Sequence, residues 1–249
     1  MNVLSTRRAR WIGTLALLSI TLIPVLPYLA GAHSDHAHPE GEATPVKKEV
    51  KAKSGTEIDP YLMSIDPVSG KALGPLATQV VTNYKGRDLR FASQKSVDLF
   101  LAAPEKYLPE LDRKMIAEQL PFYPLTTCMV SGDALGGDMG PPVDFLHGNR
   151  LVRLCCKSCV KKFDENQAGF LSAIDKAVIE SQKAAYKTTT CVVSGEKLGS
   201  MGDPVDLVVG NRLVRLCCSS CVKTFAADAV AYMAKIPAPA PVPGSTGSK

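Results

Sequence analysis

The sequence has few of the features that mark an enzyme or a nucleic-acid-binding protein. Among its 249 residues are one Trp and four His, and three of those histidines, His33, His36 and His38, fall in one short segment. We find no nucleophile elbow, phosphate-binding loop or catalytic carboxylate pair, so no catalytic residue is predicted. The net charge is +5. It falls to +2 without residues 1–32, which contain three Arg and no acid, so no nucleic-acid partner is expected.

The first 32 residues have the pattern of a secretory signal peptide. Three arginines precede the apolar run at 11–23, and Ala30-Gly31-Ala32 supplies a small-residue cleavage site. This predicts export to the periplasm or the extracellular space, with no stable membrane span after cleavage. Because residues 11–32 are about long enough to cross a bilayer, an uncleaved membrane anchor is the alternative. No cysteine precedes Cys128, which excludes a lipoprotein-type acylated cysteine.

All eight cysteines belong to two similar copies of one pattern. The run Gly-Asn-Arg-Leu-Val-Arg-Leu-Cys-Cys begins at both Gly148 and Gly210, with a further cysteine after each run and one well before it. A period of about 62 residues indicates tandem copies of one small unit. The two sets are Cys128, Cys155, Cys156 and Cys159, and Cys191, Cys217, Cys218 and Cys221.

A third, earlier copy has the same outline without the cysteines. Asp66-Pro67-Val68-Ser69-Gly70 lies 62 residues before Cys128-Met129-Val130-Ser131-Gly132. In this copy the cysteine positions are occupied by Asp66, Ala92 and Ser96. The first unit is therefore predicted to have the shape of the others without their ligands.

Each unit reads as a knuckle, a β-hairpin and one or two helices, which predicts an α+β fold of three tandem small units. In the second unit the β-prone runs 142–146 and 150–154 flank a turn at 147–149, and helical spacing follows Cys156 and continues over 170–186. In the first unit we predict strands at 80–84 and 88–92 and helices at 97–102 and 105–120, with Pro104 opening the second helix.

Residues 33–57 and 237–249 flank the repeats. They are predicted to be disordered tails, because they have almost no large apolar side chains. The predicted segments are a signal peptide (1–32), a disordered His-containing segment (33–57), a Cys-free unit (58–122), two Cys-containing units (123–186 and 187–236) and a disordered Pro/Gly tail (237–249). The predicted core includes Phe91, Phe100, Leu154, Phe163 and Phe225. The residues predicted to line a solvated face are Arg150, Arg153, Lys157, Lys161 and Lys162.

The spacing of the cysteines is suited to a metal site. Cys155 and Cys159 are four residues apart at a strand-to-helix junction, so both can point to one centre, and Cys128 is a natural third ligand. The helix N-terminus there favours thiolate over thiol. The candidates for a fourth ligand are Cys156, Asp144 and His147. A histidine shared by both units is excluded, because Val209 stands in the place of His147.

The Cys…Cys-x3-Cys-x3-Phe layout after an apolar strand, together with the Asp-Pro-Val-Ser-Gly opening, resembles the YHS and TRASH group of small treble-clef-like metal-binding domains. The resemblance covers roughly residues 60–235. It implies metal-coordinating positions at Cys128, Cys155, Cys159, Cys191, Cys217 and Cys221. It also implies heavy-metal handling, copper in particular, or sensing.

This sequence departs from the pattern of that group in two ways. Ser69, Ser131 and Ser194 stand where the family has a second knuckle cysteine, and an extra cysteine, Cys156 or Cys218, follows the strand. If one change compensates for the other, each site keeps four sulfurs, so all eight cysteines are candidate ligands.

Three functions remain open at this point. The first is an exported protein that holds one Cu(I) or Zn(II) ion per Cys-containing unit. Such a protein would buffer, carry or sequester metal, with a metal-transport or other protein as partner. Alternatively, the ion would be structural zinc. The second is a structural or interaction protein stapled by disulfides. The third is thiol-disulfide redox chemistry through Cys156 and Cys159, although a thioredoxin-like βαβ context is missing.

Overall fold

The computed structural model describes residues 59–242. The predicted signal peptide and His-containing segment, and the end of the predicted tail at 243–249, lie outside the described residues. Within 59–242, no helix combines the length and the apolar character that a membrane crossing requires.

Three small units follow one another, and each is a β-hairpin followed by two helices, as the sequence predicts. The elements of the first unit are β1 (Val80–Tyr84), β2 (Arg87–Phe91), α1 (Gln94–Ala102) and α2 (Pro104–Gln119). Those of the second are β3 (Val143–His147), β4 (Arg150–Leu154), α3 (Lys157–Glu165) and α4 (Gln167–Lys183). Those of the third are β5 (Val205–Val209), β6 (Arg212–Leu216), α5 (Ser220–Ala227) and α6 (Ala229–Lys235). Short 3-10 helices lie at Leu76–Thr78 and Leu120–Phe122.

Each hairpin is antiparallel and closes through a two-residue turn. In the third hairpin Gly210 and Asn211 both have positive φ, 56° and 58°, which is the conformation that a tight hairpin turn needs and that Gly and Asn adopt most readily. In the second hairpin the two-residue turn leaves His147 in β3, where it pairs with Arg150. The predicted three-residue turn was therefore one residue too long.

The helix starts follow from local caps. The side chain of Ser93 accepts a hydrogen bond from the Ser96 amide, so α1 begins at Gln94 rather than at the predicted position 97. Asn166 caps α4 in the same way, by accepting from the Gly169 amide at 3.3 Å. Pro104 is the first residue of α2, as predicted.

Each unit has a hydrophobic core of its own, centred on one phenylalanine. Phe100, Phe163 and Phe225 occupy the same place in the first helix of the three units and are fully buried. Phe91 and Leu154 at the ends of β2 and β4 are equally buried, so the predicted core is confirmed.

Two of the residues predicted to be solvated are buried instead. Arg150 is 1% exposed and Arg153 is 5% exposed, while the three lysines of the same prediction are exposed. Arg150 forms an ion pair with Asp175 of α4, and its Nε donates to Asn211 Oδ1 at 3.2 Å in the turn of the third hairpin. The charge at this position therefore joins two units rather than facing water.

The contact between the first and second units, like that between the second and third, is a joint made by an arginine, an aspartate and a hairpin turn at equivalent positions. Arg87 pairs with Asp112 of α2 at 2.7 Å, and its Nε donates to Asn149 Oδ1 at 3.3 Å in the turn of the second hairpin. The amide of Gln119, at the end of α2, donates to Asn149 O and accepts from the Leu151 N–H, both at 2.9 Å.

Gln182 at the end of α4 makes the same pair of hydrogen bonds to the third hairpin, with Asn211 O at 2.9 Å and Leu213 N at 2.8 Å. The last helix of one unit thus holds the hairpin of the next. Because β4 and β6 lead straight into Cys155 and Cys217, these joints also fix the strands that carry the cysteines.

The third unit makes no further joint of this kind within residues 59–242. Arg212 occupies the place of Arg87 and Arg150, but its NH2 group donates to Ile236 O at 2.8 Å and its buried Nε has no hydrogen-bond partner within residues 59–242. Beyond α6, residues 237–242 have no regular secondary structure, and the Val242 amide donates to Pro121 O at 2.8 Å.

Candidate metal centres

A tight knuckle places the first cysteine of each Cys-containing unit. The Cys128 amide donates to Asp133 O, and the Gly132 amide donates to Cys128 O, each at 2.7 Å. Gly132 has a φ of 84°, which an L side chain rarely adopts. Cys191 lies in the same kind of turn. Its amide donates to Glu196 O at 2.7 Å, and the Gly195 amide donates to Cys191 O at 2.8 Å.

The other cysteines come from the strand-to-helix junction, as the sequence predicts. In the second unit β4 ends at Leu154, Cys156 is the N-cap of α3, and the Cys159 amide donates to Cys156 O at 3.2 Å. The turn that starts the helix brings the Sγ atoms of Cys155 and Cys159 to 3.7 Å. The sulfurs of Cys217 and Cys221 are also 3.7 Å apart.

Three buried sulfur atoms therefore meet in each Cys-containing unit. In site 1, the Sγ atoms of Cys128, Cys155 and Cys159 all lie within 4.8 Å of one another. In site 2, those of Cys191, Cys217 and Cys221 do the same. All eight cysteines are free thiols in the structure. The two sites thus have the same donors in the same arrangement.

The fourth cysteine of each unit lies beside this group rather than in it. The Cys156 sulfur is 3.7 Å from that of Cys155 and 3.6 Å from that of Cys159, but it is outside the set of mutually close sulfurs. Its side chain is partly exposed, and its sulfur lies 3.0 Å from the Ser158 hydroxyl. Cys218 has the same surroundings, at 3.7 Å from both sulfurs and 3.0 Å from the Ser220 hydroxyl.

The other two candidates for a fourth ligand are engaged elsewhere. Asp144 accepts a hydrogen bond from Arg153 Nε at 2.8 Å across the hairpin. The ring of His147 packs edge-on against Phe163, with 5.6 Å between the ring centres. Neither belongs to the group of close donors around site 1.

The cysteines in and beside site 1 differ widely in pKa. Burial raises the pKa of Cys128, but hydrogen bonds from the amides of Cys155 and Ser131 outweigh it and lower the pKa to about 7. The Ser158 hydroxyl and the Cys159 amide lower the pKa of Cys156 to about 6. Burial raises the pKa of Cys159 to about 12. A metal ion at site 1 would have to displace at least the Cys159 proton at neutral pH.

Serine hydroxyls that the sequence does not mark as site residues also face the sulfurs. Ser131 Oγ lies 3.3 Å from Cys155 Sγ, and Ser194 Oγ lies 3.3 Å from Cys217 Sγ. The sequence signal for them is that serine recurs at this position of all three knuckles, as Ser69, Ser131 and Ser194. They stand where the resemblance places a further cysteine, so each hydroxyl fills that place without adding a sulfur.

The first unit has the same architecture around a carboxylate. The Asp66 amide donates to Lys71 O at 2.8 Å, which reproduces the knuckle of Cys128. The buried Asp66 carboxylate accepts hydrogen bonds from the amides of Val68 (2.9 Å), Ser69 (2.8 Å) and Ala92 (2.7 Å). Burial alone would raise its pKa, but these amides lower the pKa below its ordinary value.

The amides that surround Asp66 correspond by position to those that surround Cys128. The groups that lower the pKa of Cys128 include the amides of Val130, Ser131 and Cys155, which are the counterparts of Val68, Ser69 and Ala92. Three converging N–H groups form a nest that stabilises an anion. A carboxylate therefore satisfies in the first unit the amides that a thiolate satisfies in the others.

We expect Asp66→Asn to destabilise the protein by about 2 kcal/mol at neutral pH, because an amide cannot satisfy three inward-pointing donors as a carboxylate does. Since the folded pKa of Asp66 is depressed, its stabilising contribution is present at neutral pH and is lost as the pH falls below about 4. Urea unfolding at pH 7 and at pH 3 measures both effects. The exposed neighbour variant Ser69→Ala should unfold like the wild type. Equal unfolding midpoints of wild type and Asp66→Asn at pH 7 would contradict this role.

Comparison with known proteins bears on the first unit. No curated protein and no solved structure matches the chain significantly. The family model of the YHS domain matches residues 64–110, which contain the Asp66 knuckle, the first hairpin, α1 and the start of α2. Residues 64–110 of the Cys-free first unit are thus similar to a YHS domain, and YHS is a family of metal-binding domains.

Proposed function

We propose that this protein binds one soft or borderline metal ion in each Cys-containing unit, Cu(I) or Zn(II), and that it buffers, carries or sequesters that ion. The observation that carries the proposal is the convergence of three buried sulfurs within 4.8 Å of one another, twice, in units of the same design. In each site one sulfur comes from a knuckle more than twenty residues before the other two. Such convergence of distant segments is what a metal site requires.

The chemistry of the donors narrows the class of ion. Thiolates are soft ligands and favour Cu(I) and Zn(II) over hard cations such as Mg²⁺ or Ca²⁺. Zn(II) in a structural site takes four ligands, and site 1 can supply four sulfurs only if Cys156 turns towards it. Cu(I) accepts three thiolates, which matches the buried set without any rearrangement. The arrangement of sulfurs therefore favours Cu(I) as the ion that is handled and keeps Zn(II) as the alternative.

The first unit supports a metal role for the other two by contrast. Its fold is the same, yet Asp66 provides an anion without any sulfur, and Ala92 and Ser96 stand at the remaining cysteine positions. The fold therefore does not need cysteines for its own sake. Their clustering in the second and third units points to a purpose beyond packing.

We also propose that the protein acts after export, in the periplasm or the extracellular space. The support is the signal-peptide pattern of residues 1–32. A soft-metal protein in that compartment would exchange its ion with a transporter or another carrier. The Cys-free YHS unit is a surface that such a partner could bind without competing for the metal ligands.

Disulfide formation is the second candidate function of these cysteines. The sulfurs of Cys156 and Cys159 are 3.6 Å apart with Cys-x-x-Cys spacing, so small side-chain rotations would allow a bond. In an oxidising compartment such bonds form readily. In that case the units would be structural or redox-active modules without an ion.

Metal analysis combined with thiol counting separates the two candidates. The full chain is purified without oxygen, its metal content is measured, and its thiols are titrated after the metal has been removed with a chelator. We expect two equivalents of metal and eight free thiols. A protein that has no metal, takes up none when supplied with Cu(I) or Zn(II), and has no titratable thiols would refute metal binding and support disulfides.

A further inference from the structure

The partly exposed sulfur beside each site carries a further inference, which rests on the proposed function. We propose that Cys156 and Cys218 are exchange ligands. Each is the first protein sulfur to bind an incoming ion and the last to release it, whereas the three buried sulfurs hold the ion at rest. The carrier that delivers or accepts the ion would itself be a thiol, either a small molecule or a cysteine of a partner protein.

Burial separates the two kinds of cysteine. The side chains of site 1 are 1%, 1% and 4% exposed for Cys128, Cys155 and Cys159, and those of site 2 are 1%, 1% and 7% exposed for Cys191, Cys217 and Cys221. Cys156 and Cys218 have intermediate exposure. A carrier thiol can therefore reach the fourth sulfur of each unit from solvent, while the other three are covered by protein.

The distances allow the ion to pass in one short step. The Cys156 sulfur lies 3.6 to 3.7 Å from two of the three sulfurs of site 1, so an ion bound to it is already within reach of Cys155 and Cys159. Cys218 lies 3.7 Å from Cys217 and from Cys221. Ligand exchange between adjacent thiolates needs no change in the fold.

The backbone position of the fourth sulfur leaves it free to move. Cys156 is the N-cap of α3, with the extended φ of −159°, and Cys218 precedes α5, so neither belongs to the body of a helix. Both pack against the edge of a buried core as partly buried side chains, whereas Cys155 and Cys159, like Cys217 and Cys221, are buried members of those cores. Rotation of this side chain towards a carrier would leave the knuckle, the hairpin and the helix in place.

The exchange conserves charge, electrons and protons. A thiolate of the carrier leaves the ion as Cys156 binds it, so one metal–sulfur bond forms and one breaks. Cys155 then displaces the remaining carrier thiolate, Cys159 displaces Cys156, and Cys128 adds as a third ligand, so the ion goes from two-coordinate to three-coordinate. The ion keeps its oxidation state throughout, and the protons lost by the protein thiols are taken up by the released carrier thiolates or by water. Release follows the same steps in reverse.

Transfer kinetics of the full-length variant Cys156→Ser/Cys218→Ser test the proposal. Cu(I) is supplied as its glutathione complex and is withdrawn with a water-soluble Cu(I) chelator, and both reactions are followed by rapid mixing. We expect the variant to bind two equivalents as the wild type does. Both transfer rates should fall by at least about tenfold, because the remaining sulfurs are shielded from the carrier.

A control keeps all eight sulfurs and removes a hydroxyl far from both sites. Ser69→Ala, in the Cys-free first unit, should exchange metal at close to the wild-type rate. Unchanged rates in Cys156→Ser/Cys218→Ser would overturn the proposal, and so would a fall in its metal content below two equivalents, since the fourth sulfur would then be a resident ligand. Failure of the wild type to bind metal would instead refute the proposed function itself.

Discussion

Replacing Cys159 and Cys221 with serine in one chain is expected to abolish metal binding, from two equivalents to none. Each of these sulfurs lies 3.7 Å from a neighbouring sulfur of its site and closes the group of three. Serine is nearly isosteric, but its hydroxyl is a hard, neutral donor that a soft ion disfavours. The unit keeps Cys128, Cys155 and Cys156, but Cys156 lies outside the set of mutually close sulfurs, so no buried group of three remains to hold the ion. Elemental analysis of the purified variant, after incubation with the metal and removal of the excess, measures the loss.

The single substitutions provide an internal control. Cys159→Ser should bind one equivalent, because site 2 lies in another unit and keeps its three sulfurs. Ser69→Ala, in the knuckle of the first unit, should bind two. Retention of both equivalents in the double variant would refute the assignment of the two sites.

The triple substitution Asp66→Cys/Ala92→Cys/Ser96→Cys is expected to create a third metal site and to raise the stoichiometry from two equivalents to three. The knuckle of the first unit already has the required turn, with bonds of 2.8 and 2.9 Å where the second unit has 2.7 Å. The amides that now bind the Asp66 carboxylate would bind a thiolate instead. Positions 92 and 96 bracket the start of α1 as Cys155 and Cys159 bracket the start of α3.

A variant with only one of the three substitutions shows whether a third equivalent requires the complete set of cysteines. Asp66→Cys alone should bind no third equivalent, because one thiolate does not make a chelate. Circular dichroism shows whether the triple variant is folded, and its thiol count should rise from eight to eleven. A folded triple variant that binds two equivalents would show that the repeated backbone does not by itself determine the site.

The repeat and its elements could be predicted from the sequence because their causes are local. The turn around Gly148, which was predicted one residue too long, the β-prone flanking runs and the spacing after Cys156 each depend on neighbours within a few residues. The strands were predicted to within one residue at each end. The convergence of Cys155 and Cys159 was equally accessible, since it depends on one helical turn.

The buried arginines could not be predicted because their partners are distant in sequence. Arg150 and Arg153 lie three residues apart in β4, so their side chains point to opposite faces of the strand, and arginine side chains are mostly exposed in folded proteins. In the structure every residue of β4 is buried. The acceptor of Arg150, Asn211, lies 61 residues later in the sequence. No local pattern indicates such a contact.

The sequence favoured Cys128, Cys155 and Cys159 as ligands and left open whether Cys156 is the fourth. The structure adds that those three are buried, whereas Cys156 is the partly exposed N-cap residue of α3. The sequence therefore identifies the donors, and packing decides which of them form the buried group.

The direction of the joints bears on how the protein acquires its structure during synthesis. At both joints the earlier unit contributes the arginine, the aspartate and the glutamine, and the later unit contributes its hairpin turn and one strand amide, that of Leu151 or Leu213. The contact surface for each unit is therefore synthesised before that unit. The unit that comes first has Asp66 where the others have a thiol, so its knuckle is satisfied by a group of its own chain. We expect it to fold first and the two Cys-containing units to assemble on it, in the order of the chain.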